Sequence, residues 1–120
     1  MIGVTAPFEI LESADTKSGR SVRLRVPADC PYFEGHFPGE PILPAIGQLE
    51  LITTALAKLG EPARTISVID VLRMSRPVGP GETLQLLLSP VATNGSVRFT
   101  LKDEVGLVSR GSLTLGEGGY

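Results

Sequence analysis

The segment that most constrains the fold of this chain is a proline-rich stretch in its first half. Residues 30–44 have the sequence CPYFEGHFPGEPILP, with four prolines and two glycines in fifteen positions. Proline lacks a backbone N–H and has a fixed φ, so this density excludes both a regular helix and a central strand. The stretch is therefore predicted to be an ordered, irregular loop.

Residues 45–60, AIGQLELITTALAKLG, follow this loop and are the one segment with helical periodicity. Pro44 suits the start of a helix, and Gly60 suits its C-terminal cap. The apolar side of the predicted helix comprises Leu49, Ile52, Leu56 and Leu59. The less apolar side holds Gly47, Glu50, Thr54 and Ala57. Because apolar residues cover most of its circumference, this helix is predicted to be enclosed.

Strand-like patterns lie on both sides of the loop and helix. In the second of them, Val22, Leu24 and Val26 alternate with arginines, as in a half-buried strand. The predicted strands comprise residues 7–15, 20–27, 65–74, 83–91, 96–102 and 107–115. Short breaks such as Asn94-Gly95 indicate hairpin turns and an antiparallel meander. The pattern predicts an α+β fold in which a sheet of five or six strands wraps around one helix.

Length and charge exclude several classes of function. The 120 residues are predicted to form a single domain over residues 1–120, with no room for a cleft between lobes. The net charge is −2 and no run of lysines or arginines occurs, so neither nucleic acid nor an anionic membrane is expected as a partner. No apolar stretch is long enough to span a bilayer.

Two scarce residue types limit the chemistry further. Cys30 is the single cysteine, which excludes an intrachain disulfide and a multi-thiolate metal site and indicates a reducing, cytoplasmic location. His36 is the single histidine, so mechanisms that need two imidazoles are excluded. Any metal site would have to be built from carboxylates.

His36, Glu50 and the start of the helix together suggest an acid–base site. The backbone N–H groups at a helix start favour a developing negative charge. An imidazole, a carboxylate and such donors are the groups needed to remove a proton next to a carbonyl. Each residue also has a plainer interpretation, because a lone histidine is often structural and a glutamate on a helix is often solvated.

A resemblance to a known family favours a catalytic over a structural role for His36 and Glu50. Residues 35–50, GHFPGEPILPAIGQLE, closely resemble the signature of the β-hydroxyacyl-[acyl carrier protein] dehydratases of the hot-dog fold. That signature runs Gly-His-Phe-Pro-Gly-x-Pro-x-x-Pro-Gly and continues to a glutamate with the same spacing of 14 from the histidine. Residues 75–84, SRPVGPGETL, are similar to a second family segment. The resemblance covers residues from about 8 to 115 and implies one long central helix inside an antiparallel sheet.

The resemblance also implies an activity, the removal of water from a (3R)-3-hydroxyacyl thioester to give a trans-2-enoyl thioester. His36 would take the proton from C2, Glu50 would assist departure of the C3 hydroxyl, and the Ala45 backbone N–H would bind the thioester carbonyl. It implies a homodimer, or a higher oligomer of dimers, in which His36 of one chain faces Glu50 of the other. No cofactor or metal is implied. The expected tunnel residues are Phe37, Pro44, Ile46, Gly47 and Thr54.

The implied partner is an acyl carrier protein whose 4′-phosphopantetheine arm holds the acyl chain, or an acyl-CoA. Arg73 and Arg76 are candidates for contact with an acidic carrier, with a solvated structural role as the alternative. Glutamate rather than aspartate at position 50 resembles the branch that dehydrates without isomerising the double bond.

Two positions depart from the family pattern. Ala45 stands where glycine is usual, and Thr54 stands where a glutamine commonly steadies the carboxylate. Gln48 lies on another face of the helix and is not an obvious substitute. These departures leave a non-catalytic acyl-binding protein or heterodimer partner as an alternative, and retention of both His36 and Glu50 disfavours it. A hot-dog acyl thioesterase is a second alternative, disfavoured by the complete GHFPG string. A role in fatty-acid or related lipid or polyketide synthesis follows from the resemblance.

Overall fold

The computed structural model describes residues 8–17, 19–29, 43, 45–58 and 66–116, and these ranges contain six strands and one helix. The strands form one antiparallel sheet in the order β1-β2-β4-β5-β6-β3. The elements in chain order are β1 (Glu9–Thr16), β2 (Gly19–Arg25), α1 (Ala45–Lys58), β3 (Ile66–Met74), β4 (Thr83–Leu88), β5 (Ser96–Lys102) and β6 (Leu107–Leu115). The α+β class predicted from periodicity is confirmed. Within these ranges, no helix has the length and apolarity needed to cross a membrane.

The two faces of the sheet differ in polarity because side chains alternate along each strand. In β2, Val22 and Leu24 are fully buried on the inner face, whereas Arg23 and Arg25 are exposed on the outer face. The buried inner-face side chains of β4 and β5 are Leu84, Leu86, Leu88, Val97, Phe99 and Leu101. One face therefore builds the core and the other meets solvent, as expected of an antiparallel sheet.

Helix α1 joins this core through one side. Its side chains Leu51, Ile52, Ala55 and Leu56 belong to the same hydrophobic cluster as the inner face of the sheet. None of residues 47–56 is exposed, in agreement with the predicted enclosure. Glu50 and Thr54 lie on the other side of the helix and are half-buried.

The order of the strands departs from the simple meander predicted from the sequence. Strands β4, β5 and β6 do form a meander, but β3 pairs with β6 at one edge of the sheet and not with β4. The connecting residues 75–82 cross the sheet, since the Ser75 N–H bonds to the Val108 carbonyl and the Gly81 N–H bonds to the Val26 carbonyl. Three strand spacings amount to about 14 Å. Eight extended residues can span about 26 Å, so this linker is long enough.

Two local predictions can be compared with the structure. The Asn94-Gly95 turn is present, and Gly95 has a φ of 88°, which suits glycine at this turn. Strand β4 ends at Leu88 and not at the predicted Val91. Pro90 explains the earlier end, because proline cannot donate a ladder hydrogen bond.

We predict that Gly111→Ala weakens the attachment of β3. A Cβ atom at Gly111 would lie 2.1 Å from the carbonyl oxygen of Val71 and 2.8 Å from Cε2 of Phe99. The β3 and β6 backbones must separate to relieve these contacts, at an expected cost of about 1–3 kcal/mol in the free energy of unfolding. Urea denaturation measures this loss. Ser112→Ala, on the outer face of the same strand, is the control, and equal stability of the two variants would contradict the prediction.

Candidate active site

The predicted site residues fall into two groups with respect to the structure. His36, Phe37 and Pro44 lie outside the described residues. Their proximity to Glu50 therefore stays a prediction. The other predicted site residues belong to α1, where the backbone places Ala45 and Ile46 in the first turn and Gly47, Glu50 and Thr54 further along.

The N-terminus of α1 lies where the sequence places it, at Ala45. The first N–H groups of a helix have no partner within the helix, and they carry the positive end of its dipole. The first turn contains no acidic residue that would offset this field. This end of α1 can therefore stabilise negative charge on a bound oxygen.

The half-buried side of α1 carries the predicted acid. Gly47, Glu50 and Thr54 are spaced at i, i+3 and i+7, so they share one face of the helix. Thr53 donates a hydrogen bond of 2.9 Å from its hydroxyl to the Glu50 backbone carbonyl. Glu50 is therefore carried by a helix whose other side packs in the core through Leu51 and Ala55.

Gln48 is a buried polar residue that the sequence analysis did not assign to the core. It is 1% exposed, and its Oε1 accepts a 2.9 Å hydrogen bond from the hydroxyl of Ser109 on β6. Its Nε2 is buried without a hydrogen-bond partner. The helical period contained the signal, because Gln48 precedes Leu51 and Ile52 by three and four residues and shares their buried side.

Arg76 is part of an ion-pair cluster between the linker and the β5–β6 turn. Its Nε donates to Asp103 Oδ2 at 2.9 Å, and its Nη2 contacts Asp103 and also Glu82, the latter at 2.6 Å. The Asp103 Oδ1 accepts hydrogen bonds from the backbone N–H groups of Val105 and Gly106, both at 2.8 Å. The charge of Arg76 is therefore compensated within the chain, which favours the structural alternative over carrier contact.

The hydrogen bonds of this cluster shift the titration of both acids. Burial raises the pKa of Glu82, but the hydrogen bonds from Arg76 and the Gly79 N–H outweigh burial and lower it below 4.5. The pKa of Asp103 falls below 3.8 because the Gly106 N–H, Arg76 and the Val105 N–H all favour the carboxylate.

Comparison with solved structures identifies the fold. An uncharacterized protein from Erwinia carotovora subsp. atroseptica superposes with a TM-score of 0.74 at 27% identity, covering 91% of this chain and 95% of the other. The dehydratase heterocomplex ApeI:P from Xenorhabdus doucetiae gives a TM-score of 0.77 at 23% identity, covering 90% and 96%. These likenesses, together with the six-stranded sheet and single helix, confirm the hot-dog fold predicted from the motif.

Comparison with sequences identifies the family. The profile of the ApeI-like family, described as ApeI dehydratase, matches residues 12–112, a span that contains both His36 and Glu50. The chain belongs to this family of dehydratases.

Curated relatives named 3-hydroxyacyl-[acyl-carrier-protein] dehydratase FabZ match over shorter spans. The protein of Myxococcus xanthus is 37% identical over 76 residues, which is 56% of this chain and 50% of the relative. That of Chloroflexus aggregans is 44% identical over 68 residues, 51% and 47% of the two chains. That of Klebsiella pneumoniae is 36% identical over 90 residues, 65% and 60%. The chain spans about half the length of the first two relatives.

We predict that the Arg76 cluster makes stability depend on acidic pH. Because the pKa values of both carboxyls are lowered on folding, their contribution is complete above about pH 4.5 and is lost as the pH falls through the lowered values. Arg76→Ala should therefore be less stable than the wild type at pH 7, and the difference should shrink below pH 4. Thermal unfolding across this pH range measures the effect. A difference that does not change with pH would contradict it.

We also predict that Gln48 and Ser109 are coupled in stability. Ser109→Ala leaves both polar atoms of the Gln48 amide buried without partners, and we expect a loss of about 1–3 kcal/mol in the free energy of unfolding. Gln48→Leu combined with Ser109→Ala removes both polar groups and should be more stable than Ser109→Ala alone. Urea denaturation of the two single variants and the double variant gives the coupling. Additive effects would show that the pair does not interact.

Proposed function

We propose that this chain is a dehydratase that removes water from a (3R)-3-hydroxyacyl thioester and forms the trans-2-enoyl thioester. The family match over residues 12–112 carries the proposal, because it spans the whole string from Gly35 to Glu50. The curated relatives support it through their names, which specify 3-hydroxyacyl-[acyl-carrier-protein] dehydratases. Fatty-acid synthesis, or a related lipid or polyketide route, is the corresponding setting.

In the proposed mechanism, His36 is the base and Glu50 assists the leaving group. A proton passes from C2 to the imidazole, whose ordinary pKa near 6.5 suits a base at neutral pH. As the C2–C3 double bond forms, the C3–O bond breaks and the hydroxyl leaves as water with a proton from Glu50, given directly or through a water. The proton held by His36 then returns to Glu50 through solvent, so both residues regain their starting states, water is released and no redox partner is needed.

The Ala45 backbone N–H is the proposed donor to the thioester carbonyl. It lies at the start of α1, where the N–H groups have no helical partner. The departure from glycine at this position is compatible with the role, because alanine adopts the helical backbone freely. A donor of this kind is worth about 3 kcal/mol of transition-state stabilisation.

The proposed tunnel for the acyl chain runs beside the half-buried side of α1. Gly47 and Thr54 share one face of the helix with Glu50, and Gly47 has no side chain that would obstruct an acyl chain. Ile46, Phe37 and Pro44 are proposed to complete the lining. The substrate is proposed to be bound to an acyl carrier protein through 4′-phosphopantetheine, with acyl-CoA as the alternative.

A homodimer formed along β3 is proposed as the assembly. This strand is an edge of the sheet and exposes apolar side chains at positions of both faces, each 44–49% accessible. They are Val68, Ile69, Val71 and Met74. An exposed apolar edge invites pairing with another chain, and a second copy would extend the sheet and cover these side chains. The family resemblance implies that His36 and Glu50 of one site come from different chains of such a dimer.

Residues 1–120 are proposed to form one domain, because a single core joins side chains from Phe8 to Leu115. The cytoplasm is the proposed location, because a lone cysteine, Cys30, is typical of a reducing compartment.

The assay that tests the activity follows the absorbance of the conjugated enoyl thioester formed from 3-hydroxyacyl substrates. We expect His36→Ala to lower kcat by about 100-fold or more, and Glu50→Gln to lower it strongly. Glu104→Gln, at an exposed acid in the β5–β6 turn, is the matched control and should keep full activity. Undiminished activity of His36→Ala would rule out the mechanism. Release of free thiol without enoyl product would instead identify an acyl thioesterase.

The dimer is tested by Ile69→Glu, which places a charge among the exposed apolar side chains of β3 in both copies. We expect sedimentation to show a dimer for the wild type and a monomer for the variant, because like charges repel across the interface. Val105→Glu, at an exposed side chain of the β5–β6 turn, is the control. A second variant, Val68→Glu, guards against a folding defect specific to position 69. A wild type that stays monomeric at high concentration would contradict the proposal.

A further inference from the structure

Three arginines on the outer face of the sheet line one open depression of about 470 Å³. Arg73 lies on β3, Arg98 on β5 and Arg110 on β6, and we call these three residues the arginine patch. The hydroxyl-bearing residues of the same depression are Ser89, Thr100 and Ser112. Guanidinium and hydroxyl groups together form a surface rich in hydrogen-bond donors.

Strand register brings these positive charges close together. Arg73 is directly opposite Arg110 across the β3–β6 pair. Arg98 is opposite Ser112 across the β5–β6 pair, which makes it a diagonal neighbour of Arg110. Like charges directly opposite in a sheet are unfavourable unless an anion compensates them. The fold alone therefore gives no reason for this concentration of charge.

The arginine patch differs from the other arginines of the described residues. Arg20, Arg23 and Arg25 form ion pairs with acids of β1, and Arg76 pairs with Glu82 and Asp103. Within the described ranges no ion pair is formed by the three arginines of the patch. Asp70, the acid on β3, accepts a hydrogen bond from the Thr114 hydroxyl instead. Among the described residues, the arginines that form no ion pair are thus gathered in one place, on a chain whose net charge is −2.

We propose that the arginine patch binds the acidic surface of the carrier protein that delivers the acyl thioester, an inference that rests on the proposed function. Guanidinium groups are weakly hydrated and bind carboxylates in a forked geometry, so they suit a protein interface. The depression is wide and open, which fits a macromolecular surface better than an enclosed small molecule. This assigns a carrier contact to Arg73 and removes it from Arg76, whose charge is already compensated.

The location of the arginine patch is compatible with delivery to the helix. Arg110 follows Ser109 in β6, so the two side chains lie on opposite faces of the sheet. Ser109 bonds to Gln48 on α1, which places the patch behind the N-terminal half of the helix. Strand β3 ends at Met74, directly after Arg73. To reach the side that carries Glu50, a flexible phosphopantetheine arm would pass around this end of the sheet, outside the linker of residues 75–82.

The test compares carrier-linked and carrier-free substrates. In the variant Arg98→Ala/Arg110→Ala, we expect kcat/KM on a 3-hydroxyacyl carrier protein to fall at least about ten-fold through KM, with kcat retained. Activity on the N-acetylcysteamine thioester of the same acid should not change. Arg23→Ala/Arg25→Ala removes two arginines from the same outer face and is the matched control, expected to behave like the wild type on both substrates.

The outcomes separate this inference from the proposed function. If the two double variants have equal kcat/KM on the carrier-linked substrate, the docking surface is wrong and the proposed activity is unaffected. The same holds if the patch variant loses activity equally on the carrier-linked and the carrier-free substrate. A wild type inactive on both thioesters would overturn the proposed function. In that case binding of the holo carrier protein, followed by fluorescence anisotropy, decides the docking surface alone. Affinity lost in the patch variant and kept in the control supports it, and affinity kept in both overturns it.

Discussion

The contact between the buried side of α1 and the inner face of the sheet holds the described parts of this protein together. Leu51, Ile52 and Ala55 fix the rotation of the helix about its own axis, because they must lie in the core. A period of 3.6 residues then places Glu50 and Thr54 on the other side. The side of the helix on which the acid lies is therefore a consequence of apolar packing.

The linker at residues 75–82 determines how this core is closed. It leaves β3 at one edge, crosses the ends of the strands and enters β4 beside β2. Val78, in the middle of the linker, has a fully buried side chain that joins the core. Arg76 then ties the linker to the turn between β5 and β6 through Glu82 and Asp103. Because β3 stays at the edge, the same crossing leaves its apolar side chains exposed. The exposure of β3, on which the proposed dimer depends, is thus a consequence of the path that the linker takes within one chain.

Local patterns in the sequence were sufficient to predict the helix and strands, but not all of the strand pairings and side-chain contacts between them. Alternation predicted β2, helical spacing predicted α1 and Asn94-Gly95 predicted a turn, because each of these depends on neighbouring residues. The pairing of β3 with β6 has no local signal. The Gln48–Ser109 and Arg76–Asp103 contacts join residues 61 and 27 positions apart. Their partners could be named only once the chain was folded.

Only the part of the candidate site that lies on the helix was predictable from local patterns. Periodicity placed Glu50 on the less apolar side of α1, Pro44 indicated that the helix starts after it, and both agree with the structure. The pairing of Glu50 with His36 came from the resemblance and not from spacing, because an irregular loop has no period from which a direction could be inferred. The arginine patch was missed because Arg73, Arg98 and Arg110 come from three strands whose order was not predictable.

The alternation of Ser109 and Arg110 on β6 has a consequence for how this protein can change over evolution. Adjacent residues of one strand serve opposite faces, one beneath the helix and the other on the solvent side. Inserting or deleting a single residue within β6 would exchange them, burying a guanidinium under α1 and exposing the partner of Gln48. Substitutions can alter either face independently of the other. Changes in the length of this strand cannot, so the residue count of β6 should be the least variable property of the sheet.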